Sequence, residues 1–128
     1  MRQVLNPIPQ NVIDGRSMPN SAGIRTEQFI FVRGMLGQDY RTRQLASEDI
    51  RGQTRQAIEN IRTVLKAGGS SLDKVVMVFV QLARREDFAG FNEVYALHFP
   101  TEPPARTAML AGILREGALV EITAIAIA

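Results

Sequence analysis

Two residues of this chain have the types and settings for acid–base chemistry on a small anion. Pro103-Pro104-Ala105-Arg106 leads into a strand-like run, and fifteen residues later Glu121 interrupts a second run, 118–127, that is otherwise almost wholly apolar. An ionised carboxylate inside a buried strand is expensive unless it is paired or hydrogen-bonded. Arg106 suits a carboxylate ligand, because a guanidinium fork makes two parallel charge-assisted bonds that a lysine cannot. Pro104 restricts the residue before it and its own φ, which helps fix where the Arg106 strand begins. Glu121 could orient an attacking water, take its proton and return a proton to a departing amine. Strand alternation puts Glu121 on one face with Leu119, Thr123 and Ile125. Two plainer readings stand beside this one: a structural salt bridge between Arg106 and Glu121, and an exposed edge-strand glutamate with no role.

The rest of the chain narrows the chemistry by what it lacks. There is no cysteine, and His98 is the only histidine. Thiol nucleophiles, thiolate metal sites, disulfides, a serine triad and a multi-histidine zinc site within one subunit are therefore excluded. At 128 residues, with 45% apolar and 22% charged residues, the chain is expected to be a single globular domain spanning 1–128. A net charge of +2 gives no strong electrostatic case for nucleic acid. The N-terminal residues lack the apolar core of a signal peptide and no run is long enough to span a bilayer. The expectation is a soluble cytoplasmic protein with no membrane partner.

Several elements must position Arg106 and Glu121. A short strand is expected over 2–5, then a loop rich in proline, asparagine and glycine up to Pro19. Residues 23–25 and 29–32 flank a polar Thr26-Glu27-Gln28 turn and read as a hairpin, with Gly34 and Gly37 ending its second strand. Residues 38–46 read as a polar connection. Ser47 is the expected N-cap of a helix, with Glu48 and Asp49 in its first turn. Ile50, Thr54, Ala57, Ile58, Ile61, Val64 and Leu65 follow helical spacing, and Gly68-Gly69 stops the helix. Residues 75–82 form a continuous apolar run, expected to be a strand covered on both faces. A second helix opens at Glu86-Asp87, carries Phe88, Phe91, Val94 and Tyr95 on one stripe, and ends at the prolines 100–104. Strands over 106–111 and 119–127 close the chain. Two helices on one face of a small mixed sheet is the economical packing of this order. The other sheet face then needs cover, which points to oligomerisation.

Four segments give the chain a family resemblance. They are Gln53-Thr54-Arg55-Gln56-Ala57-Ile58-Glu59-Asn60-Ile61, Leu65-Lys66-Ala67-Gly68-Gly69-Ser70-Ser71-Leu72-Asp73-Lys74-Val75-Val76, the stretch from Asp87-Phe88 to Asn92-Glu93-Val94-Tyr95, and Pro104-Ala105-Arg106 followed by Val120-Glu121-Ile122. Together they resemble the RidA/YjgF family of reactive-intermediate (enamine/imine) deaminases over nearly the whole length. The resemblance implies an α+β, chorismate-mutase-like fold assembled as a homotrimer, with three sites in clefts between subunits. It implies hydrolysis of enamines and imines to 2-keto acids and ammonia, with 2-aminoacrylate the usual substrate and no cofactor or metal. It assigns Arg106 to the substrate carboxylate and Glu121 to catalysis, and places Asn92 near the site.

Three departures from the family pattern fall on the expected pocket walls. Met18-Pro19-Asn20-Ser21 stands where the family has Gly-Pro-Tyr-Ser, so Asn20 replaces a site-lining tyrosine. Arg33-Gly34 stands where Ser-Gly is usual, and Ala108 replaces a cysteine just after the signature arginine. Arg33 is expected either to supply a second cation for a dicarboxylic or larger acidic imine or to face solvent at a strand end. Two other function classes remain open in the sequence. One is a non-catalytic trimer that binds small acids or regulates. The other is an RNA-directed protein using Arg51, Arg55, Arg62 and Lys66, although these read more simply as a solvated helix face and lack interleaved aromatic residues for base stacking.

Overall fold

The computed structural model describes residues 1–128. In chain order it has strands β1 (Gln3–Leu5), β2 (Val12–Ile13), β3 (Arg16–Ser17), β4 (Gly23–Arg25), β5 (Phe29–Leu36), β6 (Gln38–Asp39) and β7 (Gln44–Leu45), then helix α1 (Ile50–Ala67). Strand β8 (Val75–Leu82), helix α2 (Phe88–His98), β9 (Ala105–Leu110) and β10 (Val120–Ile127) follow. Six of the strands form one sheet in the order β1-β4-β5-β10-β8-β9. All neighbours are antiparallel except β8 and β9, which run parallel and are joined through α2. The last strand, β10, is slotted between β5 and β8, so the strand carrying Glu121 lies at the sheet's centre.

Both helices pack on one face of the sheet, as the element order implies. The stripe Ile50, Thr54, Ala57, Ile58, Ile61, Val64 and Leu65 is wholly buried, and it meets Ile30, Val32, Val78, Val80, Ile122 and Ala124 from the strands. Each fully buried aliphatic side chain contributes about 1.5–3 kcal/mol, which is why the helices cover this face. The other face keeps Phe29, Phe31, Phe79 and Met109 exposed in the single chain. The expected cover on both faces of β8 is therefore present on one face only.

Four local expectations are corrected. Asp49, not Ser47, is the N-cap of α1: its carboxylate accepts from the Arg51 N–H at 3.0 Å. Ser47 instead accepts from the Asp49 N–H one turn earlier. The loop before Pro19 contains the small β2–β3 hairpin, turned by Asp14-Gly15 with φ of 52° and 75°, a known short-hairpin signal. The polar connection holds a second small hairpin, β6–β7. Finally, β5 does not end at Gly34 but runs through it to Leu36. Ile122 pairs with Met35 and Ala124 with Val32, so Arg33 and Gly34 together oppose the single residue Thr123. This is a β-bulge, a device that bends a strand and re-aims its side chains.

Candidate active site

The bulge governs what surrounds Glu121. A Cβ added at Gly34 would lie 2.9 Å from Glu121 Cδ, so this position must be glycine for the carboxylate to sit where it does. Glu121 is half-buried and makes no ion pair. It faces a cavity of about 580 Å³ whose walls include Asn20, Arg33, Gly34, Tyr40 and Glu116. Burial pushes its pKa above the usual carboxylate range, and the Arg33 charge pulls against that shift. A carboxylate so placed is a proton acceptor held in reserve.

Arg33 stacks on the Tyr40 ring, with its guanidinium carbon 4.9 Å from the ring centroid. Its Nη1 donates weakly to the Gly34 carbonyl at 3.3 Å, while its buried Nε finds no acceptor in the protein. Tyr40 is itself fixed, because its hydroxyl accepts from the Leu36 N–H at 3.1 Å. The sequence reading passed over Tyr40 in the polar connection. The available signal was a lone aromatic residue just after Gly37-Gln38.

Arg106 occupies different ground. It pairs in register with Val78, which is buried under the helices, whereas Glu121 pairs with Gln81. Val78 and Gln81 are three apart on one strand and so point to opposite faces. Within one chain, then, Arg106 and Glu121 lie on opposite faces of the sheet. The salt bridge between them is absent, and the single chain does not unite the two residues in one pocket. Arg106 is held by α2: its Nη1 donates to Asn92 Oδ1 at 2.8 Å, and its guanidinium lies 4.8 Å from the Tyr95 centroid and 5.5 Å from that of Phe91. Asn92 is thus on the side of its helix that faces Arg106.

Arg106 borders its own cavity of about 320 Å³ with Asn92, Tyr95, Phe99, Pro103 and Pro104. It also makes no ion pair. The Tyr95 hydroxyl is buried without a partner, and burial raises its pKa to about 12 against the opposing charge of Arg106. Ala108 lies further along β9, beside Leu82, Phe88 and Met109. The chain therefore carries two separate cavities on opposite faces of the sheet. One holds a carboxylate with Arg33, Gly34 and Asn20, and the other an anchored guanidinium with Asn92. His98 lines neither of these cavities: its Nδ1 lies 2.9 Å from the Val94 carbonyl. No group of three or more histidine, cysteine or acidic side chains gathers as a metal site would.

Known proteins carry the same architecture. A family model described as Endoribonuclease L-PSP matches residues 16–128. A RutC family protein of Pyrococcus horikoshii is 43% identical over 108 residues, covering 84% of this chain and 86% of the relative. The 2-iminobutanoate/2-iminopropanoate deaminase of Homo sapiens is 35% identical over 109 residues, covering 85% of this chain and 80% of that protein. The crystal structure of RidA from the Antarctic bacterium Psychrobacter sp. superimposes with a TM-score of 0.87 at 30% identity, covering 98% of this chain and 99% of that one. With the matched segment taking in the bulge, Glu121, Arg106 and both helices, the chain belongs to the Endoribonuclease L-PSP family, the RidA/YjgF proteins that its sequence resembles.

Proposed function

We propose that this protein is an imine/enamine deaminase that hydrolyses 2-imino acids to 2-keto acids and ammonia. The observation that carries this reading is the pair of half-sites. A half-buried carboxylate without an ion pair faces one cavity, and a half-buried arginine held by an amide faces another on the opposite side of the sheet. Relatives named as 2-iminobutanoate/2-iminopropanoate deaminases support it. The two halves form one site when copies assemble head to tail around a ring. The exposed Phe29, Phe31, Phe79 and Met109 on the uncovered sheet face favour such an assembly, and a chorismate-mutase-like homotrimer satisfies it. The 1–128 chain is then one catalytic unit working with its neighbours, acting in the cytoplasm.

In this site Arg106 of one copy grips the substrate carboxylate through paired charge-assisted bonds, with Asn92 fixing the fork. Glu121 of the adjoining copy orients a water against the C=N carbon and takes its proton as the C–O bond forms. The same carboxyl returns that proton to the nitrogen of the tetrahedral carbinolamine. The carboxylate next takes the hydroxyl proton of the carbinolamine and passes it to the amino nitrogen, and the C–N bond breaks to release ammonia and leave the carbonyl, so that C=NH and water become C=O and NH₃. The chain needs only its own residues for these proton transfers. The cavity beside Glu121 has room for a substrate larger than 2-aminoacrylate.

The ribonuclease in the family model's description finds less support. Arg51 pairs with Glu93 at 2.7 Å, and Arg62 pairs with Glu59, so two of the four cations along α1 are neutralised locally. The deaminase reading is tested by following ammonia release from imines generated in situ by an amino-acid oxidase. Glu121→Gln is expected to retain the fold and assembly and to lose about 10²–10⁴-fold in kcat. Full turnover in that variant would remove Glu121 from the mechanism. Binding of 2-keto acids by a wild-type protein that releases no ammonia would instead leave a non-catalytic acid-binding assembly.

A further inference from the structure

Arg33 is the feature that imine hydrolysis alone does not use. The bulge at Arg33–Gly34 turns it into the same cavity as Glu121, and stacking on Tyr40 holds its guanidinium there. A half-buried cation ordinarily has a carboxylate partner, because desolvation without one is costly. Arg33 has none, its Nε lacks any acceptor, and its one hydrogen bond is a long contact to the adjacent carbonyl. The cavity's other arginine, Arg115, donates to the backbone carbonyls of Glu116 and Arg43 and is thereby tied down. The acidic groups of the cavity are Glu121, which performs the chemistry, and the exposed Glu116. One guanidinium is thus free, oriented and close to the reacting carboxylate.

Building on the deaminase reading, in which Arg106 of the adjoining copy holds the 2-carboxylate, we propose that Arg33 binds a second carboxylate at the end of the substrate's side chain. The preferred substrate class is then a dicarboxylic 2-imino acid, of the kind released when an acidic amino acid is oxidised. The two cations stand at opposite ends of such a molecule, with its C=N bond between them and against Glu121. The about 580 Å³ of the cavity accommodates the added side chain.

The test compares wild type, Arg33→Ser and Arg33→Lys on 2-iminoglutarate and 2-iminobutanoate, each made in situ by an oxidase, at a pH where the rates are on their plateau. Wild type is expected to favour 2-iminoglutarate in kcat/KM. Arg33→Ser should lower kcat/KM for that substrate about ten- to hundredfold more than for 2-iminobutanoate, chiefly through KM. Arg33→Lys should recover part of the difference, since it keeps the charge and loses the fork. Equal losses on both substrates, or no wild-type preference, overturn the proposal and leave the deaminase reading standing. If wild type turns over neither imine, the deaminase reading falls and calorimetry with 2-oxoglutarate and 2-oxobutanoate decides the role of Arg33. Tighter binding of 2-oxoglutarate that vanishes in Arg33→Ser supports a second-carboxylate site, and equal binding of the two overturns it.

Discussion

Burial and a neighbouring cation act in opposite directions on Glu121, and burial is the larger effect. A general base must be ionised to work, so activity falls as pH drops through the pKa of this group. Because that pKa is raised, kcat/KM should decline at a pH above the ordinary glutamate value of about 4.3. Removing the Arg33 charge removes the opposing influence, so Arg33→Ser should move the acid limb to still higher pH. A pH–rate profile of the two proteins, read on a monocarboxylic imine, checks the sign; a limb that stays put or moves to lower pH contradicts the coupling. The sequence already marked Arg106 and Glu121 by residue type and Arg33 by its departure from a pattern. It did not reveal that Arg106 and Glu121 face opposite ways. Alternation assigns a face within one strand, but the relation between two strands depends on β8 lying between them, which is a non-local pairing.

Segments with a strong period or a strong stop signal were readable from the sequence, whereas those fixed by a polar side chain reaching another part of the chain were not. The apolar stripe of α1 and its arrest at Gly68-Gly69 follow from spacing and backbone freedom. Gln53 sits beside that stripe and reads as an ordinary helix-former, yet it is fully buried. Its amide donates to the carbonyls of Ser47 at 3.0 Å and Gly117 at 3.1 Å, and its oxygen accepts from the Leu119 N–H at 2.7 Å. One side chain therefore ties the start of α1 to the segment that feeds β10, the strand bearing Glu121. The same position explains Gly37, where a Cβ would run into the Gln53 backbone. Gln53→Leu keeps the volume and leaves three backbone groups without their partners. Urea unfolding should show a loss of about 2–4 kcal/mol. A loss of less than about 0.5 kcal/mol would mean that those groups find other partners.

In the proposed assembly, copies pack in a closed ring that covers the apolar sheet face, each giving its carboxylate to one junction and its arginine to the next. A head-to-tail ring is heterologous, so no copy uses both halves at the same junction. This makes a specific prediction about mixtures. Glu121→Gln chains keep Arg106, and Arg106→Met chains keep Glu121, so neither variant alone builds a complete site. When the two are denatured together in equal amounts and refolded, a junction is intact when an Arg106→Met copy supplies Glu121 to a Glu121→Gln copy that supplies Arg106. Random assembly places those two copies in that order at about a quarter of the junctions. Imine hydrolysis should therefore return to about a quarter of the wild-type rate on mixing, whereas each variant refolded alone stays inactive. A site contained within one chain gives no recovery at any mixing ratio. That result, in particles shown by light scattering to be mixed oligomers, would mean that each site draws both residues from one chain and would rule out the shared junction.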